Sequence, residues 1–278
     1  MRSALVTPEQ VERMLRELST VRLLDVRWTL AKPDGRDDYI RGHLPGAVYV
    51  DLDADLAAQG LPATEGRHPL PDIDALQSTA RRLGIRRGDA VVAYDAWNIM
   101  GAARAWWLLR WAGLADVRVL NGGIDAWRAA GLPLETGAVE PISGDVELSA
   151  GHMPTLDMDA AAALAQHGTL IDSRAAERFR GESEPLDPRA GHVPGAVNVP
   201  SEGYLVDGRF RDADELRRVF ARVGAEPGAP VGTYCGSGVT AAHTVLALHE
   251  IGVESAVFPG SWSQWSNHAD RPAATGEN

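Results

Sequence analysis

Hydrophobic positions along the chain fall into two rhythms. Short, mostly apolar runs at residues 23–26, 90–94 and 117–120 alternate with segments of helical spacing such as residues 102–111. Runs of the first kind suit strands buried on both faces of a parallel sheet. Strand and helix in alternation imply an α/β layer fold. The order predicted in each half is helix, short strand, turn, strand, helix, strand, helix, strand, helix. The first 18 residues lack the apolar stretch of a signal peptide and predict a helix instead. Thr7 is its N-cap, Pro8 suits the first helical position, and Gln10 completes a capping box.

The pattern occurs twice. Leu23-Leu24-Asp25-Val26-Arg27 matches Leu170-Ile171-Asp172-Ser173-Arg174. Gly42-His43-Leu44-Pro45-Gly46-Ala47-Val48 matches Gly191-His192-Val193-Pro194-Gly195-Ala196-Val197. Val91-Val92-Ala93-Tyr94-Asp95 matches Val231-Gly232-Thr233-Tyr234-Cys235, and Asn121-Gly122 with Trp127 matches Pro259-Gly260 with Trp265. Four matches in one order imply two copies of a single unit. Residues 1–135 are expected to form the first domain and 155–278 the second. Residues 136–154, in a stretch rich in Gly, Pro, Ser and Glu, are expected to link them.

Composition narrows the function. The 278 residues are 45% hydrophobic and 23% charged, as in an ordinary soluble globular protein. A net charge of -11 with no basic stripe argues against nucleic acid. No run approaches the length of a membrane span. One cysteine excludes an intrachain disulfide and a multi-cysteine zinc site, and it fits a reducing, cytoplasmic setting.

That cysteine carries the chemistry. Cys235 ends an apolar strand and opens the loop Gly236-Ser237-Gly238 before a long helical segment. Sites in parallel sheets form beyond the C-terminal ends of strands. Main-chain N–H groups at a helix N-terminus are unpaired and carry partial positive charge, which favours a thiolate. Gly236 and Gly238 let such groups approach the sulfur closely. The first copy has Asp95 at the matching position and so lacks the nucleophile.

Two tandem copies with Asp-x-Arg after the first strand, Gly-His-x-Pro-Gly-Ala and one cysteine loop resemble the tandem-domain rhodanese family of sulfurtransferases over nearly the whole chain. The loop from Cys235 to Ala241, the segment Arg178-Phe179-Arg180-Gly181 and Gly260-Ser261-Trp262-Ser263-Gln264-Trp265 look like its 3-mercaptopyruvate branch. The resemblance implies two rhodanese-like domains, each a mostly parallel sheet flanked by helices. It implies that Cys235 takes sulfur from 3-mercaptopyruvate as a persulfide, with release of pyruvate, and hands it to cyanide or a thiol such as thioredoxin. It implies no metal or organic cofactor. Ser237 would hydrogen-bond the substrate or sulfur. Gly236, Gly238, Val239 and Thr240 would cradle it, although Thr240 also suits capping of the following helix. Arg178 and Arg189 would clamp the carboxylate and keto oxygen, with Arg180 a rival. His43 would relay a proton with Ser237, supported by Asp37 or its neighbour Asp38. The presence of His192 at the twin position points the other way, to a shared structural role. Recurrence likewise makes Asp25 and Asp172 structural, and Trp106, Trp107, Trp111, Trp262 and Trp265 are expected to pack.

Three alternatives are set against this. A thiosulfate-preferring sulfurtransferase is disfavoured by the uncharged loop, since a dianion calls for nearby cations. A phosphatase of the same fold needs an arginine where this loop has Ala241. A non-enzymatic rhodanese-like module sits poorly with an intact cysteine loop.

Overall fold

The computed structural model describes residues 3–18 and 20–277. The outermost residues of the two expected domains, 1, 2 and 278, lie outside them. In the first half, β1 (Leu5–Val6), β2 (Val21–Asp25), β3 (Val48–Tyr49), β4 (Ala90–Tyr94) and β5 (Val117–Leu120) form one parallel sheet in the order β1-β5-β4-β2-β3. The second half adds β6 (Thr169–Asp172), β7 (Val197–Asn198), an antiparallel hairpin of β8 (Leu205–Val206) and β9 (Arg209–Phe210), then β10 (Val231–Tyr234) and β11 (Ala256–Val257). Its parallel sheet runs β11-β10-β6-β7. An isolated parallel bridge from Thr155 to Val257 marks the place that β1 fills in the first sheet. The halves share register: Asp25 pairs with Tyr94, and Asp172 with Tyr234.

Local rules hold where the sequence is strongest. The helix Pro8–Glu17 begins with the full capping box, Thr7 Oγ1 accepting from the Gln10 N–H and the Gln10 side chain accepting from the Thr7 N–H. Residues 131–157 contain no helix or regular strand. Residues 137–146 of this stretch run along the first half, the Gly137, Gly144 and Val146 N–H groups donating to the carbonyls of Ile40, Arg81 and Ile85.

The recurrent Asp-x-Arg pair performs one structural task twice. Arg27 donates through Nε and Nη2 to the two oxygens of fully buried Asp25 and through Nη2 to Gly42 O. Arg174 does the same between Asp172 and Gly191 O. The Tyr94 and Tyr234 hydroxyls accept the N–H of Leu44 and Val193 in matching geometry. A buried ion pair stands only when its polar atoms are met in this way. Each pair pins the Gly-His turn to the end of the central strands.

The two halves meet through equivalent helices, Met100–Trp111 and Val239–Glu250. Residues 100–109 of the first are all buried, as are Val239 and residues 241–248 of the second. A helix apolar on all sides must be enclosed. Trp106 and Trp107 with Val245, Leu246 and Leu248 belong to one hydrophobic cluster that crosses both halves. Trp262 and Trp265 pack in a separate cluster of the second half. The one charged residue in the buried part of the first helix is Arg104. Among the described residues no helix is long and apolar enough to cross a membrane.

Candidate active site

The sheet order places the end of β10, centrally in the second half, at the junction with the first half. Cys235 follows β10, is 2% exposed, and lines a cavity of about 230 Å³. The Gly238 N–H points at Cys235 Sγ at 3.1 Å. Gly238 sits at φ 83° and is backed by Pro259 O, so a side chain there would be both strained and obstructed. A neighbouring segment fixes the loop. Ser261 Oγ accepts from the Cys235 N–H, and the Trp262 and Ser263 N–H groups donate to Cys235 O and Gly236 O. The helix that follows takes Gly238 as its N-cap, and no side chain caps it, so Thr240 does not act as a cap. Gly236, Ser237, Val239 and Thr240 line the cavity with Cys235.

The first half shows what this position is built to hold. Asp95 Oδ1 accepts from the Trp97 and Ile99 N–H groups at 3.0 and 3.1 Å, and Oδ2 from Ala102 at 3.1 Å. The carboxylate thus occupies an anion nest where the second half carries sulfur. Burial pushes its pKa up to about 7, while the main-chain donors pull the other way.

A histidine does face Ser237, but it is His68. Its Nδ1 lies 2.7 Å from Ser237 Oγ, and its Nε2 lies 3.0 Å from Asp53 Oδ1. The carboxylate can only accept, so Nε2 carries the proton and Nδ1 accepts from the serine hydroxyl. The hydrogen bond from His68 holds Asp53 below the usual carboxylate range. The expectation for His43 is therefore corrected. Its ring is fully buried, stacked on Tyr39, with its nitrogens against Leu44 O and Gly137 O. His192 repeats the arrangement, stacked on Phe179 with Nδ1 against Phe179 O. Both histidines hold turns, the shared role that their recurrence suggested. Asp37 is exposed on the helix Arg36–Arg41, and Asp38 pairs with Lys32 and Arg41. Neither supports the relay.

The arginine pair is also reassigned. Arg178 lines the cavity, held by Glu184 and Asp187. Its partner there is Arg67 of the first half, bonded to Asp187. A Cβ placed on Gly236 would lie 3.0 Å from Arg67 Nη2 and 3.5 Å from Arg178 Nη1, so both guanidiniums close over the mouth of the loop. Arg67 Nε is buried and has no hydrogen-bond partner. Arg189 points away. Its three nitrogens donate to the carbonyls of Trp265, Ser266, His268 and Arg271, which spends the side chain on the C-terminal fold. Arg180 pairs with Glu182 in solvent.

Asp53, Arg67 and His68 all come from the connection between β3 and the helix Ile73–Arg82, which lies outside the four matched stretches of sequence. Gly66-Arg67-His68 docks on the cysteine-loop support, with the Arg67 N–H donating to Ser263 Oγ and Thr64 O facing His268 Nε2. The available signal was negative: His43 recurs, whereas His68 lies outside the matches. Arg104 was also missed. It lies behind the loop, so the site is not free of buried cations as the uncharged loop sequence suggested.

Known proteins share this architecture. The model of the rhodanese-like domain matches residues 7–130 and again 157–268. A Mycobacterium tuberculosis protein (strain H37Rv) that bears the name thiosulfate sulfurtransferase SseB is 48% identical over 278 residues, 98% of this chain and 97% of that one. The 3-mercaptopyruvate sulfurtransferase of Escherichia coli (strain K12) is 36% identical over 264 residues, 91% of each. The crystal structure of SseA from Escherichia coli, a 3-mercaptopyruvate sulfotransferase, matches with a TM-score of 0.83 and 31% identity over 94% of this chain and 99% of that one.

Proposed function

Because the chain belongs to the rhodanese-like family through both of its halves, we propose that it is a sulfurtransferase that moves sulfur from 3-mercaptopyruvate to a thiol through a persulfide on Cys235. The observation that carries this is the convergence on one cavity of Cys235, the Ser237–His68–Asp53 chain and the guanidiniums of Arg67 and Arg178.

In the first step the Cys235 thiolate attacks the donor's SH sulfur. An S–S bond forms, the S–C bond breaks, and its electron pair leaves on the pyruvate enolate. The proton that arrives on the donor's sulfur passes through Ser237 to His68, where Asp53 steadies the imidazolium, and returns to the enolate carbon. The products are pyruvate and an anionic persulfide. Arg67 and Arg178 bind the donor's carboxylate and keto oxygen and favour the enolate charge as it builds. In the second step an acceptor thiolate attacks the outer sulfur and Cys235 leaves as thiolate. Leu30, Trp97 and Leu186, exposed at the rim of the cavity, suit a protein acceptor such as thioredoxin. Thiol acceptors are abundant in the cytoplasm, which we take as the site of action.

Thiosulfate is the second donor to weigh, since the Mycobacterium tuberculosis relative carries its name. Arg67 and Arg178 add the cations that the loop lacks. Asp187 and Glu184 already balance them, so the cavity offers directed N–H donors more than surplus positive charge. That balance favours the singly charged keto acid. Steady-state kinetics with both donors tests the assignment. A kcat/KM at least ~tenfold higher for mercaptopyruvate is expected, a gap of ~1.4 kcal/mol. Equal values or a preference for thiosulfate would reverse it, and turnover surviving in Cys235→Ser would end it.

A further inference from the structure

Arg104 is 0% exposed in the middle of a helix enclosed by apolar neighbours. A buried charge is expensive unless it is hydrogen-bonded and compensated. Hydrogen bonds are present. Nη2 donates to Leu56 O and His68 O at 3.0 Å each, Nε to Leu56 O at 3.3 Å, and Nη1 reaches Gly238 O at 3.5 Å. Carbonyl oxygens solvate the cation without neutralising it. Among the described residues no carboxylate forms an ion pair with it. Nη1 sits on the carbonyl of Gly238, the residue whose N–H points at Cys235 Sγ, so the sulfur is the group across the loop that can supply the missing negative charge. Burial pulls the guanidinium down to about 10.

The repeat shows that this cation is placed rather than inherited. Arg104 is the fifth residue of the helix Met100–Trp111, and His243 is the fifth of Val239–Glu250. His243 faces the main chain of Asn98 in the Asp95 loop, and burial pushes it down to about 3, which keeps it neutral. The neutral ring therefore faces the loop whose acid, Asp95, is already met by three main-chain N–H groups. The cation faces the loop that carries sulfur, whose charge comes and goes.

We propose that Arg104 is a positioning residue for sulfur transfer: from the half without the thiol it supplies the fixed countercharge of the Cys235 thiolate and persulfide, and its guanidinium binds both Gly238 O and His68 O. The persulfide part rests on the proposed function; the thiolate part does not. One group thus sets the charge behind the sulfur and the position of the relay histidine. Other charged or titratable groups facing Cys235 are Arg67, Arg174, Arg178 and Glu202 around the cavity, His68 beyond Ser237, and Tyr204 behind.

The test measures alkylation of Cys235 by iodoacetamide against pH, which requires no sulfur transfer. In Arg104→Gln the profile moves about one pH unit alkaline and the rate at pH 7 falls ~tenfold, as loss of a nearby opposite charge demands. Arg104→Lys keeps the charge and recovers most of that loss. An Arg104→Gln profile that overlays wild type overturns the proposal, whatever happens to turnover. A wild-type enzyme that forms no persulfide, but whose profile shifts in the variant, would sink the sulfurtransferase reading alone. If Arg104→Gln does not fold, wild-type protein decides through two caps on Cys235 of similar size. The anionic carboxymethyl form should melt about 2–4 °C above the neutral carbamidomethyl form, and the gap should persist in Arg67→Gln and Arg178→Gln. Equal melting, or a gap abolished by either substitution, overturns the proposal.

Discussion

Two histidines offer a direct contest between repeat and geometry. His68→Asn removes the ring that accepts from Ser237 Oγ at 2.7 Å and donates to Asp53 Oδ1 at 3.0 Å. A shorter amide spans at most one of these contacts, so the proton path is cut. General acid–base catalysis is worth ~10²–10⁴-fold. The lower figure corresponds to about 2.7 kcal/mol on the barrier, at ~1.36 kcal/mol per decade. The stability loss is smaller, about 1–2 kcal/mol for one or two hydrogen bonds at a partly open site. His43→Asn should behave in the opposite way. Its fully buried ring stacks on Tyr39 at 4.4 Å and has carbonyl oxygens at 2.9 and 3.1 Å. Losing the packing and a hydrogen bond is expected to destabilise by about 2–4 kcal/mol. Single-turnover pyruvate release, read beside thermal melting, separates the two. His68→Asn should lose ~100-fold in rate with a modest fall in Tm. Folded His43→Asn should release pyruvate at the wild-type rate with a large fall in Tm. The reverse pattern would refute the assignment of the relay.

Further expectations follow from the same geometry. Arg178→Ala and Arg67→Ala should each raise KM for mercaptopyruvate by ~10–100-fold, the loss of a charged hydrogen bond worth about 1.5–3 kcal/mol, with less effect on thiosulfate. Equal effects on both donors would contradict a carboxylate clamp. Arg189→Ala should leave the ratio of the two KM values unchanged and lower Tm, since it holds four main-chain carbonyls. A donor-specific KM change would return Arg189 to the site. His243 has a depressed pKa, so its contribution to stability is present above its ordinary 6.5 and is lost as pH falls toward about 3. At pH 5 that loss is about 2 kcal/mol, so His243→Asn should gain on wild type between pH 7 and pH 5. A stability gap that does not change with pH would show the ring to be accessible to protons.

The sequence carried the repeat, the parallel α/β class and the cysteine loop because each is local. Apolar runs, two glycines and a strand-to-helix junction are short-range features. The Asp-x-Arg pairs were legible as structure for the same reason, recurring at one register position in both halves. The polar half of the site was not legible. Asp53, Arg67 and His68 reach Cys235 only because the first half folds against the second. Ser237 and His68 are 169 positions apart, and no periodicity reports such a contact. His43 drew attention through a motif whose recurrence already argued against it. Arg189 has a suitable side chain, but its position exposes it to four carbonyls at the chain's end. Arg104 was concealed among alanines and tryptophans that read as core. They are core, and that enclosure is what makes one guanidinium consequential.

The persulfide itself gives the most direct check of the central claim. Intact-mass measurement of protein treated with mercaptopyruvate should show the gain of one sulfur atom, mapped to Cys235 and removed by an added thiol with equimolar pyruvate already released. Pyruvate release without any sulfur adduct, or an adduct that persists in Cys235→Ser, would contradict it.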